Sequence, residues 1–212
     1  MRALAELPFA AHLEPASGPV ADGDYECKRF NGDEYKEPDL RGIRFSESVL
    51  TDLTFAGGLL LHGRFHDVWQ RNVTMTGTSL ADTSWRDTEL GECAWNGVEA
   101  PGAELRRVEF AGCKLDHVNF RGATLDKVVF RDCVLRDPDF AGARLSGVTF
   151  PGSRVEGLAL TKATLKQVDF RGAHSIGVSA GFEALRGAII DHEQLLSLAP
   201  TLAAALGLIV ED

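Results

Sequence analysis

Counting every fifth residue from Tyr25 gives Tyr25, Phe30, Tyr35, Leu40, Phe45, Leu50, Phe55, Leu60 and Phe65, and the same frame continues through Leu105, Phe110, Leu115, Phe120, Leu125 and Phe130 to Phe170. A period of five fits neither the 3.6 of a helix nor the 2.0 of a strand, so the chain must be read as a repeat before anything else. Within each quintet a small apolar residue sits two places before the large one, as in Val108-x-Phe110, Cys113-x-Leu115, Val118-x-Phe120 and Ala123-x-Leu125. Two inward side chains per five residues suit a chain that turns a corner every five residues.

Four corners close a square coil of 20 residues, and the sequence tests this independently. Cys93, Cys113 and Cys133 recur at that spacing, as do Val108, Val128, Val148 and Val168, and Ala103, Ala123, Ala143 and Ala163. The expected fold is therefore an all-β solenoid whose parallel coils stack about 4.8 Å apart and satisfy their backbone groups from coil to coil. From Tyr25 to Ile190 the frame makes 34 quintets. That is a rod roughly 40 Å long at the usual strand spacing.

These quintets resemble the pentapeptide-repeat family, with its approximate motif A(D/N)LxF, over residues 25–190. The resemblance implies a right-handed quadrilateral parallel β-helix.

Sorting the central residues by face exposes a change of phase. Tyr25, Phe45, Phe65 and Trp85 give way to Leu105, Leu125 and Leu145 on one face, while Leu50 and Leu90 give way to Phe110, Phe130 and Phe150 on the next. Constant core volume requires the faces to exchange together. The joint falls near Ala100, and residues 96–102 are expected to carry a local irregularity between two sub-stacks. A second anomaly is Val68-Trp69-Gln70, where Gln70 holds an inward slot. Either a bulge turns Trp69 inward or Trp69 is an exposed contact residue.

The ends differ from the middle. Residues 1–24 lack the repeat and are expected to form a loose cap or strand on the first coil. Residues 191–212 are expected to form a helical cap, with Asp191 as N-cap and Pro200 opening a second short helix. Leu195, Leu196, Leu198, Leu202, Leu206, Leu208 and Ile209 make this tail more apolar than a seal needs, which points to a dimerisation surface. The tail resembles the C-terminal end of the Qnr and MfpA branch of the family. That resemblance implies end-to-end dimers that bind DNA gyrase or topoisomerase IV as mimics of duplex DNA and protect the enzyme from quinolones.

The net charge of −9 disfavours direct nucleic-acid binding, which calls for a basic stripe. Seventeen acidic against nine basic residues fall in 1–100, whereas 101–212 is nearly balanced. Glu47, Asp67 and Asp87 share one ladder, and Asp82, Glu89, Glu92 and Glu99 add to the same half. Like charges stacked in register repel. This set is the candidate partner-binding stripe.

No catalytic motif or metal-ligand spacing is present. His62 and His66 occupy outward slots, and the three spaced cysteines read as buried structural thiols. No catalytic residue, cofactor or metal is expected, and no signal peptide or membrane span, so the expected location is the cytoplasm. The expected function is that of a DNA-mimicking, topoisomerase-binding rod. The alternative is a non-catalytic interaction scaffold with no topoisomerase partner.

Overall fold

The computed structural model describes residues 1–210; Glu211 and Asp212, the end of the expected 191–212 segment, lie outside the described residues. The repeat folds as a four-sided parallel β-solenoid. The first face is an eight-stranded sheet centred on Tyr25, Phe45, Phe65, Trp85, Leu105, Leu125, Leu145 and Leu165. The second is a seven-stranded sheet through Phe30, Leu50, Gln70, Leu90, Phe110 and Phe130. The third is an eight-stranded sheet running from Tyr35 to Ile176. The fourth is held by single bridges from Asp39 through Leu59, Ser79, Glu99, Asn119 and Asp139 to Ala159.

Each corner needs one residue in the left-handed region, and the corners fall at positions ending in 2 or 7. Eight of the eighteen non-glycine residues there are Asp or Asn, the side chains that best tolerate this conformation, and glycines hold most of the remaining corners. The core follows the frame, with Phe30, Leu40, Phe55, Leu60, Phe110 and Phe120 all buried. Cys93, Cys113 and Cys133 are buried and unpaired. The neighbouring Cys113 sulfur, and then burial, push the Cys133 thiol up, and each of the three thiols lies within hydrogen-bond reach of a backbone carbonyl.

The change of phase is real, but the backbone does not register it. Strands pair in unbroken 20-residue register across residue 100, as in Trp85 with Leu105, Trp95 with Leu115, and Glu99 with both Ser79 and Asn119. The expected irregularity at 96–102 is absent because side chains alone make the exchange. Phe65 stacks on Trp85 at 3.7 Å, and Trp85 meets Trp95 at 5.8 Å with tilted planes. Trp95 then touches both Phe110 and Phe120. From there Phe110, Phe130, Phe150 and Phe170 stack on the second face while Phe120 and Phe140 stack on the fourth. The bulky indole of Trp95 fills the coil in which the aromatic column changes sides.

The true irregularity lies near the end. Val155 pairs with Ile176, 21 residues on, and register shifts follow before Asp169 pairs with Ile189 at the regular spacing of 20. One extra residue after Phe170 moves Ile176 into the inward slot that Ser175 would have held, while Val178 keeps its regular place opposite Leu158.

Both ends are sealed. Glu14–Pro15 adds a short parallel strand to Lys28–Arg29 at the first coil. At the other end a single helix, α1 (His192–Ala205), replaces the two expected, with Pro200 inside it. Asp191 caps it as expected: its carboxylate accepts from the Gln194 amide at 2.9 Å, and the Gln194 side chain accepts from the Asp191 N–H. The Gln194 side-chain amide then donates to the carbonyls of Phe170 and Ala173, at 2.7 and 3.1 Å. The Ala173 carbonyl has no donor from a further coil, so the helix supplies one, while the Phe170 carbonyl also accepts from the Ala173 N–H.

Candidate partner-binding surface

The seven candidate acidic residues do not form one stripe. Glu47, Asp67 and Asp87 stack on the corner between the first and second faces, all with positive φ. Asp82 lies on the corner between the fourth and first faces, and Glu92 on that between the second and third. Glu89 points outward from the second face and Glu99 from the fourth. The solenoid therefore distributes these carboxylates around its girth and brings only three together.

Those three are unlike one another. Asp87 is held by both arms of Arg107, one coil further on, at 2.5 Å. That pairing keeps its carboxyl below the usual range. Among the described residues Asp67 pairs only with His66, at 3.2 Å. Burial pushes the Asp67 carboxyl up, and the charges of Asp87 and Glu47 add to the effect despite His66. Glu47 accepts from the Cys27 thiol. Arg107 and Lys127 continue the corner, so the anionic run is three coils long and ends in cations.

Three of the remaining four carboxylates are also partnered. Glu92 pairs with Arg71 at 2.7 Å, Glu99 accepts from Asn119 at 2.6 Å, and Glu89 binds both the backbone and the side chain of Arg2. Among the described residues the Asp82 carboxylate has no such partner. His66, Asp67 and Asp87 offer ligand atoms within 4.8 Å of one another, but Arg107 already occupies Asp87.

Arg2 belongs to a feature that sequence reasoning missed. Residues 1–12 are not a cap on the first coil; they run along the outside of the second face. Two short turns, Leu4–Glu6 and Ala10–His12, place Leu7 and Phe9 against Val49 and Trp69 in an apolar cluster separate from the main core. Trp69 is neither turned inward by a bulge nor exposed. It keeps regular register with Val49 and Glu89 and points outward, yet only 5% of it is accessible. Its indole donates to the Arg2 carbonyl at 3.1 Å. The terminal amine reaches Glu109 at 3.3 Å. Burial opposes the charged form of Glu109, but Arg131 and this amine outweigh it and hold the carboxyl below its usual range. The signal was available: Val49 and Trp69 are apolar in outward slots, and Leu4, Leu7 and Phe9 are apolar in a segment without repeats.

At the far end the candidate dimerisation residues divide. Leu198 is buried and Leu202 packs beside it against the last coil, so these two seal the rod. Leu195, Leu196, Leu206, Leu208 and Ile209 are exposed, Ile209 to 85%. Leu196 and Leu208 line a shallow apolar face with Pro200 and Val210.

Residues 83–158 match the family model described as a pentapeptide repeat region. No curated protein matches the chain. Among solved structures, a trypsin-treated form of QnrB1, a plasmid-mediated fluoroquinolone resistance protein, is 19% identical with a TM-score of 0.48, over 93% of this chain and 95% of that one. HetL of the cyanobacterium Nostoc, involved in regulating heterocyst differentiation, is 18% identical with a TM-score of 0.27, over 79% and 89%. A pentapeptide repeat protein of the Arabidopsis thaliana thylakoid lumen is 14% identical with a TM-score of 0.25, over 60% and 71%. The five-residue coil that this family model matches at residues 83–158 runs on from Tyr25 to Ile190, so the chain has the fold of a pentapeptide-repeat β-helix.

Proposed function

We propose that this chain is a non-catalytic rod that docks on the duplex-binding surface of a type II topoisomerase, DNA gyrase in the first instance, and modulates it or shields it from quinolones. The observation that carries this reading is the exposed apolar end around Leu196, Leu206 and Leu208 on an otherwise closed rod. Water-exposed leucines in such density call for a partner surface, and a second copy of the same end meets the need isologously. Two rods so joined span roughly 80 Å, the length of about 24 base pairs. Carboxylates concentrated in the half remote from that joint would meet cationic surfaces built for phosphate. Among the described residues no helix is long and apolar enough to cross a membrane. The proposed location is the cytoplasm.

The test is gyrase supercoiling and quinolone-induced cleavage with added protein. Inhibition of supercoiling or loss of cleavage supports the proposal; no effect of either kind at micromolar protein refutes it. The triple variant Glu47→Gln, Asp67→Asn, Asp87→Asn should weaken the effect while keeping the rod folded. Leu196→Asp with Leu208→Asp should convert a dimer to a monomer by light scattering.

A second reading has its own support. Asp87, Glu89, Glu92 and Glu99 are all engaged within the chain, which leaves fewer free carboxylates than a phosphate mimic would use. That favours a general interaction scaffold, which the supercoiling assay separates from the first reading.

A further inference from the structure

The outward row of a solenoid face should be polar along its length, and on the second face it is apolar at Val49 and Trp69 and anionic at Glu89 and Glu109. Residues 1–12 cover this row in matching order: Phe9 and Leu7 on the apolar stretch, Arg2 on Glu89 and the terminal amine on Glu109. We propose that the second face between Val49 and Glu109 is a docking surface for an extended, arginine-bearing segment of a partner protein, with residues 1–12 occupying it in cis as a surrogate. The proposal is independent of whether that partner is a topoisomerase.

Three observations support exchange rather than permanent cover. First, every hydrogen bond of residues 1–12 to the rod involves a side chain of the rod, and no strand ladder ties this segment to the face. Second, its apolar cluster is separate from the main core, so removing the segment leaves the coils intact. Third, the fit is incomplete. An open groove of about 590 Å³ remains between Met1, Leu4 and the rod residues Trp69, Arg71 and Glu92. Gly91 leaves room for the Met1 side chain: a Cβ there would meet the Met1 sulfur, and this flexible side chain would have to move. A cationic, apolar-flanked segment finds complementary carboxylates on this face, and the corner acids Asp67 and Glu47 lie beside it.

Trp69 provides the readout, because Trp85 and Trp95 are buried in the core. In the full chain carrying Arg2→Glu and Phe9→Asp, Trp69 emission should shift to the red and become quenchable by acrylamide. A synthetic peptide of residues 1–13 should then reverse the shift saturably. The Arg2→Glu form of the peptide should bind about tenfold more weakly, as should the native peptide to a chain that also carries Glu89→Lys. If the double variant does not fold, Arg2→Glu alone, which breaks the contact with Glu89 and leaves the face itself unchanged, takes the same titration. Continued protection of Trp69 in a folded variant would overturn the proposal. So would the absence of peptide binding at roughly millimolar concentration to a chain whose Trp69 is accessible, or equal binding of the two peptides.

Discussion

The indole of Trp69 donates a hydrogen bond to the backbone carbonyl of Arg2, 67 positions away in sequence. This bond, with the packing of Leu7 and Phe9, makes the N-terminal segment part of the folded surface. The two kinds of tryptophan environment should respond differently to truncation. Trp85→Ala removes a ring stacked on Phe65 inside a closed core and should cost about 3–5 kcal/mol. Trp69→Ala should cost about 2 kcal/mol, because the segment over it can collapse onto the face. Urea unfolding followed by circular dichroism gives both values, and equal losses would contradict the account.

Gln70 is fully buried between Leu50 and Leu90 on its ladder, and neither polar atom of its amide has a hydrogen-bond partner among the described residues. Gln70→Leu should therefore raise stability by about 1–3 kcal/mol, the typical cost of an unsatisfied buried polar group. A lower thermal midpoint would show that the amide is satisfied in solution.

Asp67 and Asp87 should have opposite effects on the pH dependence of stability. The Asp67 carboxyl is raised in the fold, so its contribution is present below its unfolded value of about 3.9 and is lost as pH rises through the folded value. Asp67→Asn should thus raise the melting temperature at pH 7, with the gain vanishing near pH 3. Asp87 is depressed by Arg107, so its contribution is present above about pH 3.9 and lost as pH falls through the folded value. Asp87→Asn should lower the melting temperature at pH 7. Melting curves across this range check both signs.

Gln194 holds α1 to the last coil through the carbonyls of Phe170 and Ala173. Gln194→Leu leaves the Ala173 carbonyl unpaired and that of Phe170 with the Ala173 N–H alone, and should cost about 1–3 kcal/mol. Hydrogen exchange should rise in α1 and around Ala173 and stay unchanged around Phe110. Uniform acceleration along the rod would refute this division.

The sequence made the interior legible and the exterior much less so. Phe110, Leu115 and Phe120 declare their places because the large inward slots recur at fixed intervals and are filled by apolar side chains, with Gln70 an exception. The phase change could be recognised near Ala100, but the continuity of the backbone there could not, because side-chain exchange leaves no mark on period. The inserted residue after Phe170 escaped notice because Gly187 to Ile190 return to the original frame. On the surface, grouping Asp82, Glu92 and Glu99 with Glu47 failed because closeness in sequence says nothing about which of four corners a residue occupies. Asp67 and Asp87 also have a local reason to be acidic, since their corner demands a left-handed backbone. The cover over Trp69 required a contact between distant segments that no repeat predicts.

The crossing of the aromatic column at Trp95 makes the coils unequal as building units. A 20-residue unit duplicated between Phe110 and Phe130 would meet phenylalanine below and above it, and the rod would lengthen by about 4.8 Å with its interior unchanged. The unit holding Trp85 and Trp95 has no such freedom, because a second copy would place leucine-sized neighbours where ring faces now meet. Gene duplication can therefore set the length of this protein on either side of Trp95, while the coil that contains it stays single.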